Sequence, residues 1–231
     1  MTKLDITHES TGDLRPDTPA SCPDHAWTGA TVYTIGHSTR SQAELIALLR
    51  HYGVHTLVDV RTVPRSRRNQ QFNTEELAVA LPRAGIAYAR LPRLGGLRRG
   101  LGAASPNTAW RNASFRAYAD HMQTADFAQG LDELRALTAA GPVALMCSEA
   151  VPWRCHRSLI ADALVVRGVV PRHIQSRTRA ELHTLTPFAR VEGEGITYPG
   201  EPQPGADPPR DQPAMSPPPH DAIQPSDATP A

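Results

Sequence analysis

From residue 31 to residue 174 the apolar positions alternate between two rhythms, short β-rich runs and longer stretches with helical spacing. The run Thr31–Ile35 (TVYTI) predicts a strand that leads into Gly36, His37 and Ser38. Ser41 and Glu44 form a capping-box pattern ahead of Leu45, Leu48 and Leu49, which share one helix face before Gly53 stops it. Thr56, Leu57 and Val58 predict a second strand ending in Asp59, Val60 and Arg61. After a loop with Pro64, Arg65, Arg67 and Arg68, Asn73 with Glu76 opens a helix whose inner face is Leu77 and Leu81. Pro82 is expected to end that helix early. Ile86–Leu91 (IAYARL) predicts a third strand.

Residues 92 to 112, with Gly95, Gly96, Gly100 and Gly102, read as a long loop. A helix opening at Ser114 places Phe115, Tyr118 and Met122 at helical spacing, and another from Thr124 turns Phe127, Leu131, Leu134 and Leu137 inward. These aromatics are assigned to the core. Val143–Met146 then predicts a buried strand, and Leu159, Ile160, Ala163 and Leu164 mark a helix ending at Gly168. Val169–Ile174 is the last predicted strand. Strands alternating with helices of this length argue for an α/β fold, a single domain with a mainly parallel sheet flanked by helices.

The two ends of the chain differ from this middle. Residues 1 to 30 are polar and carry no sustained apolar period, and the segment from 198 onward holds eleven prolines in 34 positions. Both are expected to be disordered extensions, because they have too little apolar surface to offset the entropy of ordering. The expected domain is therefore 31–197. It contains 21 Arg, no Lys and 13 acidic residues, a net charge of +8, against −3 for the leader and −4 for the tail. A basic domain with acidic extensions suggests an anionic partner, either a small molecule or nucleic acid. No apolar run reaches membrane-spanning length and no secretory leader is recognised, so no membrane is expected and a cytoplasmic location is. Three cysteines are too few for a disulfide scaffold.

Three predicted strands end in polar residues: Gly36-His37-Ser38, Asp59-Val60-Arg61 and Cys147-Ser148-Glu149. In a parallel sheet these ends share one rim, where ligands bind in open α/β folds. Asp59 and Arg61 are expected to separate, one to the site and the other to a neighbouring helix. Cys147, facing a helix whose first turn would carry Arg154, Cys155, His156 and Arg157, is the candidate nucleophile, because a helix N-terminus and arginines favour a thiolate. Glu149 or His37 is the candidate proton carrier, and Asp59 is a further catalytic candidate. Ser38, Arg61, Arg154, His156 and Arg157 are candidate anion-binding residues. Cys147, Cys155 and His156 are also the residues able to ligate a metal, although their spacing matches no common zinc knuckle and no metal is expected. No motif identifies a cofactor.

The blocks IGHST (35–39), DVRTVPRS (59–66), GIAYARLPRLGG (85–96), FRAYADHM (115–122) and LMCSEAVPWRCHRSLIA (145–161) resemble the bacterial and archaeal family called domain of unknown function 488. The resemblance runs from Thr34 to about Ile174. It implies an α/β domain and a shared site on His37, Ser38, Asp59, Arg61, Cys147, Glu149, Cys155, His156 and Arg157; it names no reaction. A weaker likeness, to rhodanese-type sulfurtransferases and cysteine phosphatases, rests on an Asp-x-Arg strand end and a Cys-loop-helix anion cradle. Those loops close with Arg six positions after the cysteine, whereas this chain has Trp153 there and Arg154 one later.

Overall fold

A computed structural model describes residues 27–200. Five strands, β1 (Val32–Gly36), β2 (Thr56–Asp59), β3 (Ala87–Arg90), β4 (Val143–Cys147) and β5 (Arg172–Ile174), run parallel, and β6 (Ala180–Leu182) joins antiparallel at the edge. The order across the sheet is β3-β2-β4-β1-β5-β6. Five helices connect them: α1 (Gln42–His51), α2 (Thr74–Arg83), α3 (Ala113–His121), α4 (Ala125–Thr138) and α5 (Arg157–Val166). The predicted α/β class with a mainly parallel sheet is the architecture found.

The sheet is covered on both faces, which explains why β4 is buried at all five positions and reads as an unbroken apolar run. Alternation divides its side chains. Val143 and Leu145 join the core under α3, α4 and α5, with Tyr118, Leu131, Leu134, Leu159 and Ile160. Ala144 and Met146 join the core under α1 and α2, with Leu45, Leu49, Leu77 and Leu81. The crossover from β1 leads one way along the sheet to β2, and the crossover from β4 leads the other way to β5. The carboxyl ends of β1 and β4 therefore flank the switch in strand order, where α/β sheets open a crevice. Gly36 and Cys147 are in register there.

Local signals acted largely as the residues dictate. The Ser41–Glu44 capping box closes reciprocally on α1. Asn73 does stand at the N-cap of α2, but its Oδ1 accepts the backbone N–H of Ser66 at 2.7 Å instead of capping the helix. Pro82 does not cut α2 short, because it sits next to last, and the chain turns at Gly85 with φ +76°. Asn112, not Ser114, caps α3, accepting from Ser114 and Phe115 N–H. The last predicted strand shrinks to β5. The antiparallel β6 and the hairpin β7 (Arg190–Glu192) and β8 (Gly195–Thr197) had no expectation attached.

The 92–112 segment contains two short 3-10 turns, Pro92–Leu94 and Gly102–Ala104. It is fastened to α3 by one buried carboxylate. Asp120 accepts from the Leu101 backbone N–H at 2.8 Å, from Ser105 Oγ at 2.5 Å and from Asn107 Nδ2 at 2.8 Å. Burial opposes the charge on Asp120, but these donors outweigh it and hold the carboxyl below its usual pKa. Trp27 and Tyr198, outside the expected 31–197 range, pack on the domain, and the Tyr198 hydroxyl donates to Asp162 at 2.8 Å. Residues 1–26 and 201–231 of the expected extensions lie outside the described residues.

Candidate functional site

A cavity of about 520 Å³ opens over the carboxyl ends of β1, β2 and β4. His37, Arg61, Cys147, Glu149, Arg154, Cys155 and His156 line it, so the three predicted strand ends do meet. Ser38, Asp59 and Arg157, also singled out by sequence, are not on its wall. The rest of the lining includes Arg65, Ser66, Asn69, Gly96, Leu97, Ser114, Phe115 and Ser148.

The chain makes this rim by close backbone approach. A Cβ on Gly36 would lie 1.8 Å from the carbonyl oxygen of Glu149, so glycine is what lets the loop after β4 cross the end of β1. His37 N–H donates to the Cys147 carbonyl at 2.9 Å and Ser38 N–H to that of Ser148 at 3.0 Å, extending the pairing past the strands. Ser38 adopts a left-handed φ of +49°. After β4, a 3-10 turn at Pro152–Arg154 comes before α5, which begins at Arg157 with His156 at its N-cap. Arg154, Cys155 and His156 thus precede the helix and do not form its first turn as expected.

Three of these side chains converge at the floor. The Sγ atoms of Cys147 and Cys155 and a ring nitrogen of His156 all lie within 4.8 Å of one another. His156 Nδ1 stands 3.6 Å from Cys155 Sγ and 4.0 Å from Cys147 Sγ. Its Nε2 is 3.0 Å from the Val60 carbonyl oxygen, which can only accept, so Nε2 carries a proton and Nδ1 is turned to the sulfurs. A Cβ on Gly96 would stand 2.4 Å from Nδ1, so the second glycine of the Gly95-Gly96 pair makes room for the ring.

The two sulfurs are not equivalent. A hydrogen bond from the Cys147 thiol and the adjacent Arg157 guanidinium draw Cys155 below the ordinary thiol value against its burial, while the same bond and burial push Cys147 up. Geometry agrees, because Arg157 Nε donates to Cys155 Sγ at 3.3 Å. The Arg157 donor thus sits at Cys155, whereas sequence reasoning placed the candidate nucleophile at Cys147.

Arg157 is 1% exposed and faces no solvent. Besides the sulfur, it donates to the Glu149 carbonyl at 2.5 Å and through Nη1 to Thr34 Oγ1 at 3.2 Å. Its expected place as a substrate clamp is taken up by the protein itself. Thr34 passes the bond on to His173 Nδ1 at 2.7 Å, His173 Nε2 to His183 Nδ1 at 2.9 Å, and His183 Nε2 to Asp162 Oδ1 at 2.8 Å. Each donor leaves the next group one direction to point. Because Thr34 accepts from Arg157, its hydroxyl proton goes to His173, and the sequence of donors ends on the carboxylate. Burial first, then the neighbouring His183 and Arg157, lowers the His173 pKa to about 4, in keeping with its acceptor role.

Asp59 and Arg61 do not separate. Residues two apart on an extended chain share a face, and Arg61 grips Asp59 with Nε to Oδ1 at 2.9 Å and Nη2 to Oδ2 at 2.6 Å. Asp59 is fully buried and also accepts from the Tyr88 hydroxyl at 2.8 Å, so it holds Arg61 in place from behind the cavity wall. Arg61 in turn reaches the Phe72 carbonyl at 2.7 Å and, through Nη1, His37 Nε2 at 3.3 Å. His37 Nδ1 lies 2.9 Å from the Ser38 carbonyl. Both ring nitrogens are engaged, and burial above all lowers its pKa to about 4. Glu149 and Arg154, by contrast, are exposed on the wall, and Arg154 forms no ion pair with another described residue.

Sequence reasoning missed Thr34, His173, His183 and Asp162, which lie scattered across β1, β5, α5 and the chain after β6. It also assigned Phe115 wholly to the core, whereas this ring both packs on the core and lines the cavity. Among the described residues no helix is long and apolar enough to cross a membrane. Comparison with curated proteins and with solved structures returns no match. The sequence profile of the family described as "Domain of unknown function DUF488" matches residues 41–164, which take in α1 through most of α5 and every residue of the sulfur–imidazole cluster. More than half of the chain is covered by that match, and the chain belongs to this family.

Proposed function

We propose that the protein is an enzyme acting on a phosphate-bearing substrate, a nucleotide or a nucleic acid, with the Cys147–Cys155–His156 cluster as its reactive centre. The observation that carries this reading is the position of that cluster at the floor of an open cavity with cationic side chains on its wall. Arg154, exposed and without an ion-pair partner among the described residues, is assigned to a phosphate; Arg65 lines the same cavity and is paired with Glu75 at 2.6 Å. Leu97 and Phe115 supply an apolar surface suited to a base or other flat group. Glu149 is the proton carrier in this scheme, since His37 and Asp59 are committed to holding Arg61.

A panel of nucleotides, phosphate esters and short oligonucleotides tests this, with binding and turnover followed separately for the wild type and Cys155→Ser. Turnover by the wild type, with binding but no turnover by the variant, is the expected result. A second reading, a non-catalytic nucleic-acid module, draws on the exposed Arg67 and Arg68 next to Arg65. Salt-sensitive oligonucleotide binding that is equal in both proteins, with no turnover anywhere, would establish that reading in place of the first.

A further inference from the structure

We propose that Cys147, Cys155 and His156 form an open metal site that takes one thiophilic divalent cation, zinc by the softness of its donors, with a coordination position facing the cavity. The inference deepens the reading of this cluster as a reactive centre, on which it rests, by naming what makes the centre reactive.

Four observations carry it. Two sulfurs and one imidazole nitrogen already lie within 4.8 Å of one another, so a cation bridging them needs only small shifts of side chains. Two thiolates and one imidazole form a donor set that suits zinc, and three protein ligands with an open position are the mark of a catalytic rather than a structural site. His156 is oriented as a ligand would be: Nε2 donates to the Val60 carbonyl and Nδ1 is directed at the sulfurs. The fourth direction is not closed by protein, because all three residues border the cavity.

The surroundings match this role. Arg157 Nε donates to Cys155 Sγ, and its other nitrogens are tied to the Glu149 carbonyl and to Thr34. Behind Thr34 the chain of donors through His173 and His183 ends on Asp162. This is an outer shell that extends through the core and fixes the direction from which the guanidinium meets the sulfur. A bound cation would polarise an oxygen of a phosphate-bearing substrate held by Arg154, or a water beside it.

The full chain, reduced and stripped with a chelator, is titrated with Zn²⁺ against a chromophoric competitor, and alkylation of each cysteine is read by mass spectrometry with and without the metal. The expected result is one equivalent of zinc per chain, with protection of Cys147 and Cys155 but not of Cys22. Co²⁺ should give sulfur-to-metal charge-transfer absorption that Cys147→Ser and Cys155→Ser each weaken. Thr34→Val, which touches no ligand, should weaken zinc binding by about tenfold through the outer shell, with recovery in Thr34→Ser. The protection experiment needs no variant and so does not depend on any variant folding. Failure of zinc to protect the two cysteines overturns the metal site. If Cys155 then alkylates rapidly without metal, the sulfur centre of the proposed enzyme stands; if both cysteines are inert, both readings fall.

Discussion

Arg61 Nη1 and His37 Nε2 meet at 3.3 Å, with the histidine as acceptor, and this contact joins the end of β1 to the chain just past the end of β2. The arrangement requires His37 to be neutral when folded, as burial also dictates, with Arg61, Asp59 and Arg157 as the charges facing it. His173 is in the same position, faced by His183, Arg157, Glu181 and Asp162. Both have folded pKa values near 4 against an ordinary 6.5, so unfolding takes up protons between those limits. Stability should be fully present above pH 6.5 and fall as pH drops toward 4. Urea midpoints measured across this window check it, and a flat profile would contradict it.

Asp59 should prove to be a structural carboxylate. Asp59→Ala leaves the Arg61 guanidinium buried without its counter-charge, a change that costs about 3–5 kcal/mol. Replacing both residues, as in Asp59→Ala with Arg61→Met, should recover part of that loss. Denaturant unfolding of the two single variants and the double variant measures the coupling directly.

The glycines at the rim should differ in how badly they tolerate alanine. At Gly36 the obstacle is the Glu149 carbonyl, part of the backbone, and Gly36→Ala should disrupt the loop after β4. At Gly96 the obstacle is the His156 ring. Gly96→Ala should cost about 1–3 kcal/mol by overpacking and displace Nδ1 from the sulfurs, which changes the alkylation rates of Cys147 and Cys155. Melting curves rank the two variants, and the alkylation rates of Gly96→Ala report on the site.

Asp120 is expected to govern the order of the long loop over α3. Asp120→Ala removes the acceptor for Leu101 N–H, Ser105 Oγ and Asn107 Nδ2, a loss of about 1–3 kcal/mol for each buried donor left unpaired. Amide exchange should accelerate across residues 100–107 while the sheet keeps its protection. Equal acceleration in β4 would show that the loop and the core open together.

Arg154→Ala should separate binding from folding. The side chain is exposed and unpaired among the described residues, so its loss should leave unfolding within about 0.5 kcal/mol of wild type. Loss of a charge-assisted phosphate contact, about 1.5–3 kcal/mol, should weaken binding of a phosphate-bearing ligand roughly tenfold to a hundredfold. Calorimetric titration of both proteins with the same nucleotide provides the comparison.

Much of the fold was legible because its signals are local. The capping box at Ser41, the apolar spacing of Leu45, Leu48 and Leu49, and the unbroken run of β4 each act within a few residues. The candidate cavity was legible for a related reason: parallel strands bring their carboxyl ends to one rim, and three of those ends are polar. Direction within the rim was not legible. Whether Arg157 faces solvent or a sulfur depends on Thr34, 123 positions away. That same guanidinium places its Nε on Cys155 Sγ rather than on Cys147. β6, β7 and β8 escaped notice because each has three residues, too few to show a period.

The short distance along the chain between Cys147 and His156 has a consequence for how the protein folds. All three members of the cluster come from one ten-residue segment, so bringing them together closes only a small loop and costs little chain entropy. What orients them comes from far away: Val60 for the imidazole, Thr34 for the guanidinium, Gly96 for the space the ring occupies. The reactive groups can thus be neighbours in the unfolded ensemble, while their alignment must wait for β1 and β2 to dock on either side of β4. Substitutions at Thr34 or Gly96 should then act chiefly on the unfolding rate, and those within β4 on the folding rate.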